Sequence, residues 1–309
     1  MNQLYAGLKY LFTHPAFREN PVALSARLAL WLLYCAARHS PRFKLTDEVW
    51  FEVDPVLRHS GASSAFVLRR WAEPELRYLD KLLTNGGGFI DCGANIGIYT
   101  VRAAAIVGRQ GKVIAVEPGA VSFSRLRTNI GLNGFSQVIL VNEAISDTAA
   151  TARLYHADGG PASFSLVPKA GTDFEEVQTT TIDRLVEEYN LEALDCIKLD
   201  VEGFEIPALK GAGETIARFK PAIIVERTSL GAKRLAASEG IADILLTFGY
   251  LLYQYAADFN FQAKYEIPNL VAIHPASNKV LPSILRAWNP VSIKSGGPGS
   301  RDHGDGFLR

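Results

Sequence analysis

An acid opens a glycine-spaced turn at Asp91-Cys92-Gly93-Ala94-Asn95-Ile96-Gly97, directly after a short apolar run. A strand-to-helix turn of this kind brings bare backbone close to a ligand, because glycine has no Cβ to block approach or forbid positive φ. Further along, Val113-Ile114-Ala115-Val116-Glu117-Pro118 reads as a second apolar strand ending in an acid. An acid there can accept hydrogen bonds from both hydroxyls of a ribose. The two stretches together mark a nucleoside-binding half-sheet.

The turn itself narrows the nucleoside. Dinucleotide sites use Gly-x-Gly-x-x-Gly so that a pyrophosphate can sit on a helix N-terminus. Here Asp91 stands at the first position and Asn95, which tolerates the left-handed region, at the third. An acid at the mouth of the turn repels a pyrophosphate and suits a ligand with an ammonium and a sulfonium, which is S-adenosylmethionine. On this reading Asp91, Gly93, Asn95 and Gly97 meet the methionine half and Glu117 takes the ribose. Glu143 and Ala144, after a third strand, fall where the adenine edge would lie; solvation at the surface is the alternative for Glu143.

A second group of acids lies further on, at Asp200-Val201-Glu202. Strand alternation puts Asp200 and Glu202 on one face if the extended conformation continues through them. The carboxyl edge of a parallel sheet is where open α/β folds hold ligands. An acid at that edge is placed to act as a base or to orient a hydroxyl, and Asp200 is the expected residue for that role, with Glu202 beside it. The alternatives are a helix N-cap for Asp200 and a first-turn dipole partner for Glu202. Glu226 could join them to hold a divalent cation with water, but no dedicated metal motif is present and no metal is expected. His156, beside Asp158, Ser163 and Ser165, is open to proton transfer or coordination, against a structural or exposed role.

These residues resemble the FkbM-type methyltransferases. The resembling pieces are the turn from Asp91 to Thr100, Val116-Glu117-Pro118, Leu126 to Asn129 and Leu132-Asn133, followed by Glu143-Ala144-Ile145-Ser146 and Thr181-Ile182-Asp183-Arg184-Leu185. Ile197-Lys198-Leu199-Asp200-Val201-Glu202-Gly203-Phe204-Glu205 and Pro221-Ala222-Ile223-Ile224-Val225-Glu226 complete them, in family order, over roughly residues 70 to 230. The resemblance implies a Rossmann-like fold, S-adenosyl-L-methionine as cofactor and O-methylation of a sugar or secondary-metabolite hydroxyl. It does not name the acceptor.

Composition sets the outer limits. At 309 residues the chain can hold one large domain with an accessory segment. Its 32 basic and 32 acidic residues leave no net charge, so no nucleic-acid partner is expected. The three cysteines have no CxxC spacing, which fits reduced thiols and a cytoplasmic compartment. No signal peptide is evident. The apolar stretch at residues 28–37, between Arg27 and Arg38, is too short to span a bilayer and reads as a helix packed on the domain. Peripheral membrane contact through it is the less favoured alternative.

The expected fold is α/β, a doubly wound Rossmann-like methyltransferase sheet with an N-terminal helical and β accessory segment and a β-hairpin insertion. The expected boundaries are residues 1–70 for the accessory segment and 71–275 for the cofactor domain, with the insertion at about 146–180. Residues 276–309 form a tail whose end reads as disordered. Strands are predicted at 89–92, 113–117, 138–142, 196–200 and 222–226, with helices at 99–107, 122–132 and 207–218. Alternation of this kind means a parallel sheet covered on both faces. Pro15 and Pro21 should break two N-terminal helices, residues 44–53 alternate like β-structure, 66–68 read as a short strand and 73–83 as a helix. In the insertion, 151–155 and 177–181 read as strands folded over the carboxyl edge of the sheet. The partner is a small-molecule or glycan hydroxyl acceptor; the oligomeric state is open. A nicotinamide-dependent oxidoreductase and a membrane-associated nucleoside-binding protein without turnover are the rival readings.

Overall fold

The computed structural model describes residues 14–56, 61–156, 164–167, 173–226, 240–255, 269–277 and 285–287. The predicted tail end at 291–309 lies outside the described residues, as do Asp158 and Ser163. Pro15 and Pro21 open helices rather than break them: α1 is Pro15–Glu19 and α2 is Pro21–Ala37. Proline suits the first helical position because its missing N–H would have no partner there. The Asn20 side chain caps α2 by accepting from the Ala23 N–H at 2.9 Å.

An antiparallel pair follows, β1 (Arg42–Thr46) and β2 (Val49–Glu52). Residues 66–68 are not a strand: they end helix α3 (Gly61–Leu68), which lays Ala65, Phe66, Val67 and Leu68 into the core. An apolar run this short cannot be assigned by periodicity alone. The predicted helix at 73–83 is also broken, into a 3₁₀ turn at Pro74–Arg77 and a single turn α4 (Leu79–Leu82).

The sheet strands then alternate with helices: β3 (Gly88–Cys92), α5 (Ile98–Val107), β4 (Lys112–Val116), α6 (Ala120–Asn133) and β5 (Val138–Val141). The insertion is more than a hairpin. Its strands β6 (Ala144–Ile145), β7 (Thr151–His156), β8 (Phe164–Ser165) and β9 (Phe174–Thr180) form a separate four-stranded sheet in the order β6-β9-β7-β8. The chain returns through α7 (Ile182–Glu188), β10 (Cys196–Leu199), α8 (Glu205–Lys210), α9 (Gly213–Phe219) and β11 (Ala222–Glu226). The single helix predicted at 207–218 is thus two. At Gly211, between them, a Cβ would meet the Ser146 carbonyl oxygen at 2.4 Å. A further helix at residues 240–247 precedes β12 (Leu251–Tyr255), β13 (Asn269–Ile273) and β14 (Leu285–Ala287).

The main sheet has the order β14-β12-β13-β11-β10-β3-β4-β5. Strands β5, β4, β3, β10 and β11 run parallel, and β13, β12 and β14 add an antiparallel edge. Period-two alternation splits the buried side chains between the faces. Ile90, Cys92, Ile114, Ile197, Leu199 and Ile223 pack with α7 to α9 on one face. Phe89, Val113, Cys196 and Ile224 face α4 and α5 on the other. Growth of the sheet reverses between β3 and β10, and ligands bind outside the strand ends at such a switch point.

The N-terminal segment shares a core with the sheet region: Trp31, Phe43, Phe51 and Phe66 cluster with Val101, Phe123 and Leu126. Asn129 of α6 pins β2 by accepting from the Glu52 N–H at 2.7 Å and donating to the Glu52 carbonyl at 3.1 Å. Helix α2 packs through Trp31, 5.2 Å from Phe66, as expected for residues 28–37. Its outer side leaves Val22, Leu30, Leu32 and Leu33 exposed. Among the described residues no helix is long and apolar enough to cross a membrane.

Candidate functional site

The turn after β3 is built around Gly93 and Asn95. The Gly93 and Ala94 amides both donate to the Val116 carbonyl at 2.9 Å, which ties the turn to the end of β4. Gly93 has φ +77, and a Cβ there would lie 1.9 Å from the Asp200 carbonyl oxygen. Glycine is therefore required there, because the chain after β10 presses on the turn. Asn95 takes the left-handed conformation at φ +50.

Glu117 is buried at the end of β4. Its two carboxylate oxygens accept from the Asn95 N–H at 2.8 Å and the Gly119 N–H at 2.9 Å. Burial pushes its pKa up to about 7, against the lowering effect of those two bonds. Each carboxylate oxygen has more than one acceptor site, so capacity remains for two hydroxyls. Asn142 closes the neighbouring loop by donating to the Glu117 carbonyl at 2.8 Å and the Pro118 carbonyl at 3.0 Å.

An acid cluster stands at the ends of β10 and β11. Asp200, Glu202 and Glu226 offer carboxylate oxygens that all lie within 4.8 Å of one another. The strand β10 ends at Leu199, and Glu202 sits in a left-handed turn at φ +51. The extended conformation does not continue through Glu202, so the turn and not strand alternation brings it beside Asp200. Neither acid caps helix α8, whose N-cap is Phe204 with no side-chain bond. Glu205 fills the local structural role instead, accepting from the Val201 N–H at 3.3 Å and the Gly203 N–H at 3.1 Å. Glu226 arrives from the next strand, where Leu199 pairs with Val225 in parallel register.

One buried cation sets the charges of this cluster. Lys198, 2% exposed, extends toward the strand end and donates to Asp200 Oδ2 at 2.9 Å. Its ammonium also lies 4.7 Å from the centre of the Tyr99 ring. Burial would lower the Lys198 pKa, but the Asp200 and Glu226 carboxylates outweigh it and hold the ammonium charged. Burial likewise acts to raise Asp200, and Lys198 with hydrogen bonds from Glu226 and Lys198 overcomes it, so Asp200 ionises below the ordinary carboxylate range. Glu226 goes the other way. Burial and then the Asp200 charge push it up to about 10, so it keeps a proton to donate to Asp200. The pair behaves as one carboxylate and one acid sharing a proton.

A cavity of about 110 Å³ lies between Glu117 and this cluster. Gly93, Asn95, Glu117, Glu143, Ala144, Asp200, Val201 and Glu202 line it. Leu154, Ser165 and Leu166 of the insertion also line it, and the Ser165 hydroxyl donates to the Glu202 carbonyl at 2.6 Å.

Comparison with known proteins gives this arrangement a family. Residues 91–255 match the Methyltransferase FkbM domain, which is more than half of the chain. This chain belongs to the FkbM methyltransferase family. The cofactor of that family is S-adenosyl-L-methionine. The chain is 27% identical to Methyltransferase sdnD of Sordaria araneosa, over 44% of this chain and 64% of that protein, so it spans less than two thirds of that relative. Among solved structures it is similar to Methyltransferase FkbM from Methylobacillus flagellatus, at 18% identity and TM-score 0.43 over 69% of this chain and 54% of that one. Fibrillarin from Aeropyrum pernix, solved with bound S-adenosyl-L-methionine, matches at 12% identity and TM-score 0.39 over 62% and 67% of the two chains.

Seven of the residues singled out in the sequence of this FkbM-family protein line the one cavity: Gly93, Asn95, Glu117, Glu143, Ala144, Asp200 and Glu202. Two others stand behind it. Asp91 is buried beneath the turn, where its carboxylate accepts from the Thr100 hydroxyl at 2.5 Å, and burial pushes its pKa up to about 6. Gly97 opens α5 at φ +94, and a Cβ there would meet Leu126 Cδ1 at 2.6 Å, so its role is helix packing. The His156 side chain lies outside the described residues. Sequence reasoning missed Lys198 as the organising charge. The available signal was a lysine in the middle of an otherwise apolar strand.

Proposed function

We propose that this methyltransferase is S-adenosylmethionine-dependent and O-methylates a hydroxyl on a sugar, glycan, glycolipid or secondary metabolite. The observation that carries the reading is that Glu117 and Asp200 line one cavity. The first, a buried acid, has acceptor capacity for a ribose, and the second, an ionised acid, has capacity for a proton. The carboxylates around the cavity favour a cationic donor, and the turn at Gly93 and Asn95 would hold its methionine half over Asp91. Glu143 and Ala144 would border the adenine.

When bound, S-adenosylmethionine supplies a methyl group on a sulfonium. Asp200 orients the acceptor hydroxyl and takes its proton as the oxygen gains the methyl. Glu226, already protonated, and Lys198 hold Asp200 ionised for this task. The insertion residues Leu154 and Leu166 keep water from the acceptor side. Asp200, Glu202 and Glu226 are not read as a metal site, because Lys198 already pairs with Asp200 and Glu226 keeps its proton. The three free cysteines support a cytoplasmic location.

Incubating the protein with methyl-labelled S-adenosylmethionine and a panel of hydroxylated acceptors tests the reaction. Label transfer that survives EDTA is expected. Binding without transfer across the panel would favour a nucleoside-binding protein, and loss of transfer in EDTA with recovery in Mg²⁺ would restore the metal reading.

Glu117→Gln is expected to weaken S-adenosylmethionine binding by about 1–3 kcal/mol, through loss of hydrogen bonds to a charged acceptor. Calorimetry on folded variant measures it, and wild-type affinity would remove Glu117 from the ribose. The sign of the pH dependence follows from its pKa near 7. The ionised form accepts more hydrogen bonds, so wild-type affinity should rise as pH passes upward through 7, and Glu117→Gln should flatten that rise.

A further inference from the structure

A second, larger cavity shares no lining residue with the cofactor site. It measures about 840 Å³ and is walled by the inner side of α2, the β1–β2 turn and the segment between α3 and α4. Ligand pockets commonly span about 300–1,000 Å³, so the volume admits a small molecule or a lipid headgroup. Its basic lining residues are Arg27, Lys44, Arg69, Arg70, Arg77 and Arg102, against the acids Glu19, Asp47 and Glu48.

Two of these acids are already engaged. Glu19 pairs with Arg70 at 3.7 Å and Glu48 with Arg102 at 3.1 Å. Lys44 donates to the Asp47 carbonyl at 2.9 Å and Arg27 to the Val67 carbonyl at 3.3 Å, and neither bond cancels a charge. Arg69 is the decisive residue. Its guanidinium carbon lies 3.8 Å from the centre of the Phe43 ring and 4.5 Å from that of Phe66. Its Nη1 is buried and, among the described residues, has no hydrogen-bond partner. The backbone at Arg69 is left-handed, with φ +58, a conformation that costs a non-glycine residue free energy and that clusters at ligand sites. Burial, and then the charge of Arg27, push its pKa down to about 9, against a smaller opposing effect of Tyr34.

A half-buried guanidinium held by strained backbone and repelled by a second arginine is costly unless an anion completes it. Guanidinium suits the paired oxygens of a phosphate, and the aromatic faces fix the plane of its fork. We propose that this cavity is a second binding site, for a phosphate-bearing ligand whose phosphate sits between Arg69 and Arg27. The volume exceeds that of inorganic phosphate, so the ligand carries a further polar body, as a phosphorylated small molecule or a phospholipid headgroup does.

The test titrates inorganic phosphate into the full chain and follows thermal unfolding at fixed ionic strength, with chloride as the comparison salt. A ligand that binds only the folded state raises the midpoint in a saturable way. Wild type should show saturable stabilisation by phosphate and not by chloride. Arg69→Gln should weaken the apparent affinity at least tenfold, while Arg109→Gln, exposed and outside the cavity, should match wild type. Absence of saturation above chloride, or a wild-type response from Arg69→Gln, would overturn the site. If Arg69→Gln does not fold, Arg27→Gln, on ordinary helical backbone, carries the same expectation, and unchanged affinity there overturns it too. Co-sedimentation with phosphatidylglycerol but not phosphatidylcholine vesicles, lost in the same variant, assigns the phosphate to a lipid. Phosphate binding without co-sedimentation assigns it to a soluble molecule, and both support the site.

Discussion

Asp200→Asn lowers turnover by roughly 10²- to 10⁴-fold, the usual contribution of a positioned acid or base, and leaves S-adenosylmethionine affinity close to wild type. The split is expected because the proposed reading gives the ribose to Glu117 and the acceptor hydroxyl to Asp200, two separate acids of the same cavity. The variant should still fold. Removing the Asp200 charge takes away a major cause of the raised Glu226 pKa, so Glu226 can ionise and become the partner of Lys198. Initial rates with a labelled donor, beside calorimetric affinity, measure both halves. An unchanged rate would reduce Asp200 to a structural counter-ion of Lys198. A matched loss of affinity would place it on the donor side.

Much of this site was legible because its parts are local. The turn from Asp91 to Gly97, the acid at Glu117 and the five parallel strands each announce themselves within a few residues, and the strand boundaries differ by at most one position. The residues around 202 resisted because strand alternation holds only while the chain stays extended, and the left-handed turn at Glu202 ends it. The same residue pair converges, but for a different reason. Gly93 reads from the sequence as a glycine needed for ligand approach, and the structure adds a constraint that no local pattern shows: the Asp200 carbonyl, over a hundred positions away in sequence. Helix α3 was missed because a three-residue apolar run has no readable period. The antiparallel edge β12 to β14 has no local mark of its own in a chain whose other strands alternate with helices. Long-range charge balance was the least legible feature, since nothing adjacent to Lys198 shows that Asp200 and Glu226 will share its field.

Lys198→Met provides the sharpest test of that balance, because its effect should depend on pH. In the wild-type protein Lys198 holds Asp200 ionised below the ordinary carboxylate range while Glu226 keeps the proton. Without the ammonium, burial and the neighbouring acids act on the Asp200–Glu226 pair unopposed, and its first ionisation moves up. The reaction needs that ionised form to accept the hydroxyl proton. The sign is therefore fixed: the acidic limb of the rate profile should shift to higher pH, with a deep loss of turnover near neutrality and partial recovery under alkaline conditions. Folding should be less affected than turnover, since the pair can take up a proton in place of the lost cation. Lys198→Arg should restore part of the neutral-pH rate, although a guanidinium fits the space over Tyr99 less well than an ammonium. The measurement is initial rate against pH for wild type and both variants, with thermal unfolding at each pH. A uniform drop with an unmoved acidic limb would mean that Lys198 supports only the packing, and that Asp200 is ionised by some other cause.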